Sequence, residues 1–362
     1  MPPRTQPRFG VWTPVYGTWA SLRHPDDPVD ASWERSKRLI LEAEELGYES
    51  TLVAQHTINP FGDNFAQLEA VTATAALGAL TKRVELIVAI KPALVHPVIF
   101  AKQALQIEEI SGGRMSINLV NGWFKPEIER AGIPLLEHDE RYVYGQEWID
   151  LVERLLTGER VSHSGKYFHV DEYTLRPLSR FRARPIIYIG GESEPARNLA
   201  VKSADVWFLN AQPCQQVTEM IAAVAARERT RPPLKYAMPA FVITRETDEE
   251  AQVALEAAWD LANRDEVEKQ ALRAGIDKNV VMMESAQRRP HIGTNGGTSA
   301  GLVGSYETVA KRILDFTEAG VETFMLQFQP LEAEMRRFAK EVMPRVRSLC
   351  EGRSTLATHH GL

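Results

Sequence analysis

Two short segments carry the residue types most suited to chemistry. Gly190-Gly191-Glu192-Ser193-Glu194-Pro195 follows the apolar run PIIYI and opens a stretch of helical period, with Pro195 placed for a first helical turn. Free backbone N–H groups beside a serine hydroxyl at a helix start make a cradle for a phosphate or other anion. A serine that only caps its helix has the same signature, and Glu192 and Glu194 lean toward that plainer reading. The second segment is Asn118-Leu119-Val120-Asn121-Gly122-Trp123. An inward Asn118 is either a satisfied core amide or an arm for a ligand, and the cost of burying an unpaired amide favours the ligand. Downstream, Glu127 and His138-Asp139-Glu140-Arg141-Tyr142 mix charge with an aromatic ring, a pattern that the surface start of a helix also produces.

Other chemistries are excluded or disfavoured. The nine histidines form no HxH or HExxH pattern and neighbour no cysteine pair, so no metal site is expected. Gly297-Thr298-Ser299-Ala300-Gly301 has the form of a hydrolase nucleophile elbow, but polar, Gly-rich residues precede it where that turn needs a buried strand. Cys214 and Cys350 are far apart and give no disulfide framework. With 42 Lys and Arg against 48 Asp and Glu, the net charge is −6, and no basic run exceeds two residues, which argues against nucleic acid as a partner. No stretch approaches the ~18 apolar residues of a membrane span, and Met1 to Phe9 lacks the apolar segment of a signal peptide. A cytoplasmic protein without membrane contact is expected.

The elements that must position these residues repeat along the chain. Eight apolar runs, at residues 8–16, 50–55, 83–92, 115–122, 185–191, 205–210, 235–244 and 323–328, alternate with amphipathic stretches such as 33–46, 98–110, 141–156 and 305–319. Most of these runs are continuously apolar, as strands covered on both faces are in parallel sheets. Gly47 and Gly320 fall where helices close. Eight such units predict an α/β fold, a single (β/α)8 TIM barrel over residues 1–350; a doubly wound sheet is disfavoured because no GxGxxG opens the first turn. Three segments depart from the repeat: a hairpin at 159–177 turning at Ser164-Gly165, a Gly-rich mobile lid loop at 275–304, and a disordered tail at 351–362.

Seven collinear motifs resemble the bacterial luciferase-like flavin monooxygenases: VAIKPALVHP after the third strand, ISGGR at 110–114, INLVNGWFKPE at 117–127, HDERY at 138–142, IGGES at 189–193, FVITRETDEEA at 241–251 and LVGSYETVAKRI at 302–313. Within that family, the second and third oxygenase groups in similarity are the pyrimidine and alkanesulfonate enzymes, after the dimethylsulfone monooxygenases. The resemblance implies reduced FMN (FMNH2) as cofactor and O2 as co-substrate, with Gln55, His56, Ala89, Asn118, Glu127, Arg141, Tyr142, Gly191 and Ser193 at flavin-binding positions. It raises the phosphate reading of the IGGES turn above the capping one. His56 and Asn118 are the catalytic candidates, His56 because an imidazole titrates near neutrality; a histidine merely hydrogen-bonded at a strand end is the alternative.

Departures from the family pattern bear on the substrate. Where alkanesulfonate enzymes hold the sulfonate with cations, this chain carries Pro239, Phe241 and Asn295, and Ala211 stands where they have Trp. Ala89 replaces the Thr of pyrimidine oxygenases. A pocket without those cations favours an uncharged substrate. Tyr16, Lys91, Phe241, Arg288, Arg289, His291 and Asn295 are the expected substrate and lid residues. The implied activity is a two-component monooxygenase, supplied with FMNH2 by an NAD(P)H-dependent flavin reductase, that oxygenates a small organosulfur compound of the sulfone type with C–S cleavage. The alternatives are oxygenation of an alkanesulfonate or pyrimidine-like heterocycle, or F420-dependent hydride transfer. A homodimer or homotetramer is expected from the family and from the commonness of two-fold symmetry.

Overall fold

Eight parallel strands close into a barrel in the computed structural model, which describes residues 6–16, 20–27, 29–277 and 290–359. The strands are β1 (Arg8–Trp12), β2 (Ser50–Val53), β3 (Glu85–Ile90), β4 (Met115–Leu119), β7 (Ile186–Gly190), β8 (Val206–Phe208), β9 (Lys235–Phe241) and β12 (Val321–Gln327). Each pairs with its neighbours in sequence, and β12 closes the circle on β1 through Arg8↔Thr323 to Val11↔Leu326. All eight apolar runs therefore become barrel strands. The four expected helices appear at Trp33–Glu45 (α1), Pro97–Ser111 (α3), His138–Leu156 (α5) and Tyr306–Glu318, and Gly47 and Gly320 follow helix ends with φ of 91° and 110°.

One end of the barrel is plugged and the other is open. At the N-terminal end, Glu85 accepts hydrogen bonds from Ser116 Oγ at 2.6 Å and Tyr188 Oη at 3.0 Å, and pairs with Arg8 at 2.8 Å. Those polar groups fill the floor, so the ligand-sized space lies at the C-terminal ends of the strands, where barrel sites are built.

The ISGGR motif is explained by this scaffold. Gly112 and Gly113 take φ of 70° and 85° to end α3, and Arg114 then turns back across the helix ends. Its guanidinium donates to Ser111 O, Val84 O, Gly78 O, Thr81 O and Thr81 Oγ1 at 2.7 to 2.9 Å, satisfying carbonyls that α2 (Ala70–Leu80) and α3 leave open. The motif therefore serves the fold.

The inserted hairpin forms from β5 (Val161–Ser164) and β6 (His169–Tyr173), with its turn at 165–168. Ser164 pairs with His169 and so ends the strand, because Glu147 of α5 gathers the N–H groups of Tyr167 and Phe168 and fixes a four-residue loop. The tail departs from the expected disorder: a helix runs from Met343 to His359. Gly352 costs only about 1 kcal/mol inside a helix, and the residues after it include good helix formers.

The segment expected as a mobile lid is described only at 275–277 and from residue 290 on. Residues 278–289, including Arg288 and Arg289, lie outside the described residues. Residues 290–304 are packed rather than loose: Ile292, Ala300 and Leu302 are buried, and β11 (Val303–Ser305) pairs with β10 (Ile243–Arg245). Gly297–Ala300 forms a 3-10 turn with no strand before it, so no nucleophile elbow exists there. The helical stretch before the lid divides into α8 (Asp248–Asn263) and α9 (Glu266–Gly275).

Replacing Arg114 by Ala is expected to lower the unfolding free energy by about 3 kcal/mol, read from urea denaturation, because five backbone and hydroxyl acceptors lose a charged donor.

Candidate functional site

A cavity of about 580 Å³ occupies the open end of the barrel. Tyr16 follows β1, Gln55 and His56 follow β2, Ala89 and Lys91 end β3, Asn118 lies on β4, and Gly191 and Ser193 follow β7; all of them line it. Arg141 and Tyr142 reach it from the first turn of α5. Segment 290–304 contributes His291 and Asn295, and the pair α8–α9 forms the outer rim. Most residues singled out in the sequence are thus brought together.

The strongest interactions lie just behind one wall. Lys91 Nζ forms an ion pair with Glu127 and also donates to Gln55 O at 2.6 Å, while the Lys91 N–H donates to Gln55 Oε1 at 2.6 Å. His56 Nδ1 lies 3.2 Å from the other Glu127 oxygen and 3.1 Å from Lys91 Nζ. Glu127, itself nearly fully buried, reaches this point on a short helix, α4 (Lys125–Glu129), with Pro126 in its first turn. Burial pushes the His56 imidazole down to about 4, and the Lys91 charge adds to this against Glu127. Burial also lowers the Lys91 ammonium, opposed by Glu127. Burial would raise Glu127, but its bond to His56 and the Lys91 charge outweigh that and hold it below the ordinary value.

Three expectations change accordingly. Lys91 is not a spare cation for a substrate, because its charge is matched by Glu127. Glu127 braces the wall rather than facing the cavity. His56 is neutral near pH 7 and acts there as a hydrogen-bonding group, with Tyr16 and Trp123 set edge-on to its ring at 5.4 and 5.3 Å.

Another part of the cavity wall lies where two helices begin. The N-termini of α5 and of α6 (Glu194–Ser203) meet there, joined by the hydroxyls of Tyr142 and Ser193. Ser193 also accepts from the Ala196 N–H at 3.4 Å, so it caps α6 and lines the cavity at once. Gly191 has φ of 119°, and a Cβ there would come within 2.9 Å of Ala196 Cβ, so the backbone is bare at the turn. Arg141 donates to Gly122 O at 2.7 Å and pairs with Asp277. Asp277 gave no signal in the sequence: it sits past α9 and is brought in by the Phe124↔Ile276 bridge and its own N–H to Trp123 O at 3.1 Å.

The cavity floor holds unsatisfied polar atoms. Asn118 Oδ1 and both amide atoms of Asn121 are buried without a protein partner. Asn118 therefore fits the ligand-arm expectation, and Asn121 joins it.

Phe241 does not line the cavity. It is buried beneath Gly293, where a Cβ would lie 2.8 Å from its ring, in a small cluster with Ala20, Ile243, Ala262 and Ile292. Gln327, at the end of β12, was not singled out; it accepts from the Thr294 N–H at 3.0 Å and holds this segment across the mouth. Among the described residues no group of His, Cys, Asp or Glu could hold a metal ion, and no helix is long and apolar enough to cross a membrane.

An open barrel mouth with an anion cradle and free amides is a cofactor-binding arrangement. Residues 9–323 match the family described as luciferase-like monooxygenase, and the chain belongs to that family. It is 30% identical over 352 residues to an FMNH(2)-dependent dimethylsulfone monooxygenase of Pseudomonas putida, an alignment covering 94% of this chain and 96% of the relative. Two solved structures share the fold. A riboflavin lyase with modified FMN and riboflavin has a TM-score of 0.79 at 21% identity, over 95% of this chain and 92% of that one. DmoA from Hyphomicrobium sulfonivorans has 0.77 at 19%, over 95% and 88%.

Two outcomes test the charged wall. Lys91→Met should destabilise the fold by about 3 to 5 kcal/mol by leaving Glu127 buried and unpaired, and adding Glu127→Leu should recover most of it, both by urea denaturation. His56 resists protonation when folded, so stability is full above its unfolded pKa near 6.5 and declines as pH falls toward about 4. His56→Asn should flatten the melting temperature across that window.

Proposed function

We propose that this protein is the oxygenase of a two-component system, taking FMNH2 from an NAD(P)H-dependent flavin reductase and using O2 to oxygenate a small, uncharged organosulfur compound of the sulfone type, with C–S cleavage. The observation that carries the reading is the division of the cavity: an anion cradle at one end and unpaired amides at its floor, in a chain akin to an FMNH(2)-dependent enzyme.

The residues fit FMN. Ser193, Tyr142, the bare turn at Gly191 and Arg141 would take the phosphate, the first three by neutral donors and Arg141, whose charge is paired with Asp277, through its buried Nε, which has no protein partner. Asn118 and Asn121 would supply hydrogen bonds to the polar edge of the ring system, for which they have no protein substitute. Reduced FMN, when bound, supplies the electrons that activate O2.

The chain's own part is to bind, orient and exclude water. Tyr16, Trp123 and His56 make an aromatic wall, and neutral His56 presents hydrogen-bonding capacity without a net charge at physiological pH. Gln327 ties Thr294 to the end of β12 and so holds part of the cavity wall in place. The substrate reading rests on charge: Pro239 and Phe241 are buried and apolar, Asn295 is neutral, and Lys91 is already paired. We further propose a cytoplasmic location and a homodimer or homotetramer.

Anaerobic titration with FMNH2 is expected to show saturable binding, weakened about tenfold by Ser193→Ala, equivalent to about 1.4 kcal/mol. Admitting O2 with dimethyl sulfone should then consume one O2 per FMNH2 and convert up to one sulfone for each flavin oxidised. Lack of saturable FMNH2 binding would overturn the reading, and turnover without oxygen uptake would favour the F420-type hydride transfer instead.

A further inference from the structure

The wall formed by the β7 and β8 ends contains a carboxyl that the flavin and its phosphate do not need. Glu192 stands between Gly191 and Ser193, but its side chain turns away from Tyr142 and crosses to the end of β8, where Oε1 accepts from the Asn210 N–H at 2.8 Å. It is 7% exposed and lines the cavity. The next residue, Ala211, donates its N–H to Asn295 O at 2.8 Å, so the carboxyl lies beside the segment that crosses the mouth.

Among the described residues no ion pair reaches Glu192 within 4.0 Å; the other carboxyl on the cavity wall, Glu266, is paired with Arg273 at 2.9 Å. Arg197 of α6 acts on Glu192 only at longer range. Burial pushes the carboxyl up from its ordinary range, against the Asn210 hydrogen bonds and Arg197. A carboxyl held toward its protonated form is a hydrogen-bond donor. It can serve an acceptor-only ligand, and any ionised fraction repels an anion placed beside it.

Resting on the function proposed above, we infer that Glu192 is the specificity residue of the site, donating a hydrogen bond to an uncharged acceptor such as a sulfonyl oxygen and disfavouring an anionic sulfonate. This adds a positive determinant to the missing cations at Pro239, Phe241 and Asn295.

The test is ligand binding to the protein loaded with oxidised FMN, followed by the flavin absorbance shift, using dimethyl sulfone and methanesulfonate as probes. Glu192→Ala should weaken dimethyl sulfone at least about tenfold with FMN affinity unchanged. Glu192→Gln keeps an acceptor for Asn210 and a donor for the ligand, and should restore sulfone affinity to within about threefold of wild type. Glu192→Lys should bring methanesulfonate binding that wild type lacks. If wild type binds the sulfone and Glu192→Ala binds it equally well, the role of Glu192 is overturned while the function stands. A loss of FMN affinity in parallel with sulfone affinity in Glu192→Ala would make Glu192 a cofactor residue and overturn it too. Wild type that holds FMN but responds to no sulfone overturns the substrate class and this inference with it.

Discussion

The buried ion pair between Lys91 and Glu127 is the constraint on which the cavity depends. Two charges removed from water are tolerated only when each is matched and the remaining hydrogen-bonding positions are filled. Here Gln55 fills them from β2 and His56 bridges to the same carboxylate. The ends of β2 and β3 and the start of α4 are thereby fixed to one another. A further effect is electrical: the positive charge nearest the cavity floor is cancelled, and the imidazole beside it stays neutral. At this wall the polar groups are held in place with their charges matched.

Charge is instead kept at the other end. Two helix N-termini, the Tyr142–Ser193 contact and Arg141, which is paired with Asp277, converge on one part of the cavity wall. The segregation matters because a flavin mononucleotide is itself divided into a charged phosphate and a largely uncharged ring. The unpaired amide atoms of Asn118 and Asn121 add neutral hydrogen-bonding groups to the same cavity.

The barrel was legible in the sequence because its strands are buried on both faces and read as uninterrupted apolar runs. The helix starts at Ser193 and His138 were legible through local chemistry, and so was the candidate ligand arm Asn118, which stands near the end of a strand. What could not be read were pairings between segments distant in the chain. Lys91 looked available because nothing near it in sequence announces Glu127, 36 positions away. Asp277 and Gln327 act through tertiary contacts, with no motif of their own. The order of segment 290–304 was not legible for a related reason: Gly, Ser and Thr lower local propensity, and the pairing of β11 with β10 and the burial of Ile292, Ala300 and Leu302 decide the outcome.

A single-turnover experiment with 18O2 examines the account most directly. Protein loaded with one equivalent of FMNH2 and saturated with dimethyl sulfone would be mixed with 18O2 and the organic products analysed by mass spectrometry. The account predicts one 18O atom in the sulfur- or carbon-containing product per flavin oxidised, the other leaving as water. Recovery of all the label in hydrogen peroxide and water, with the sulfone intact, would contradict it.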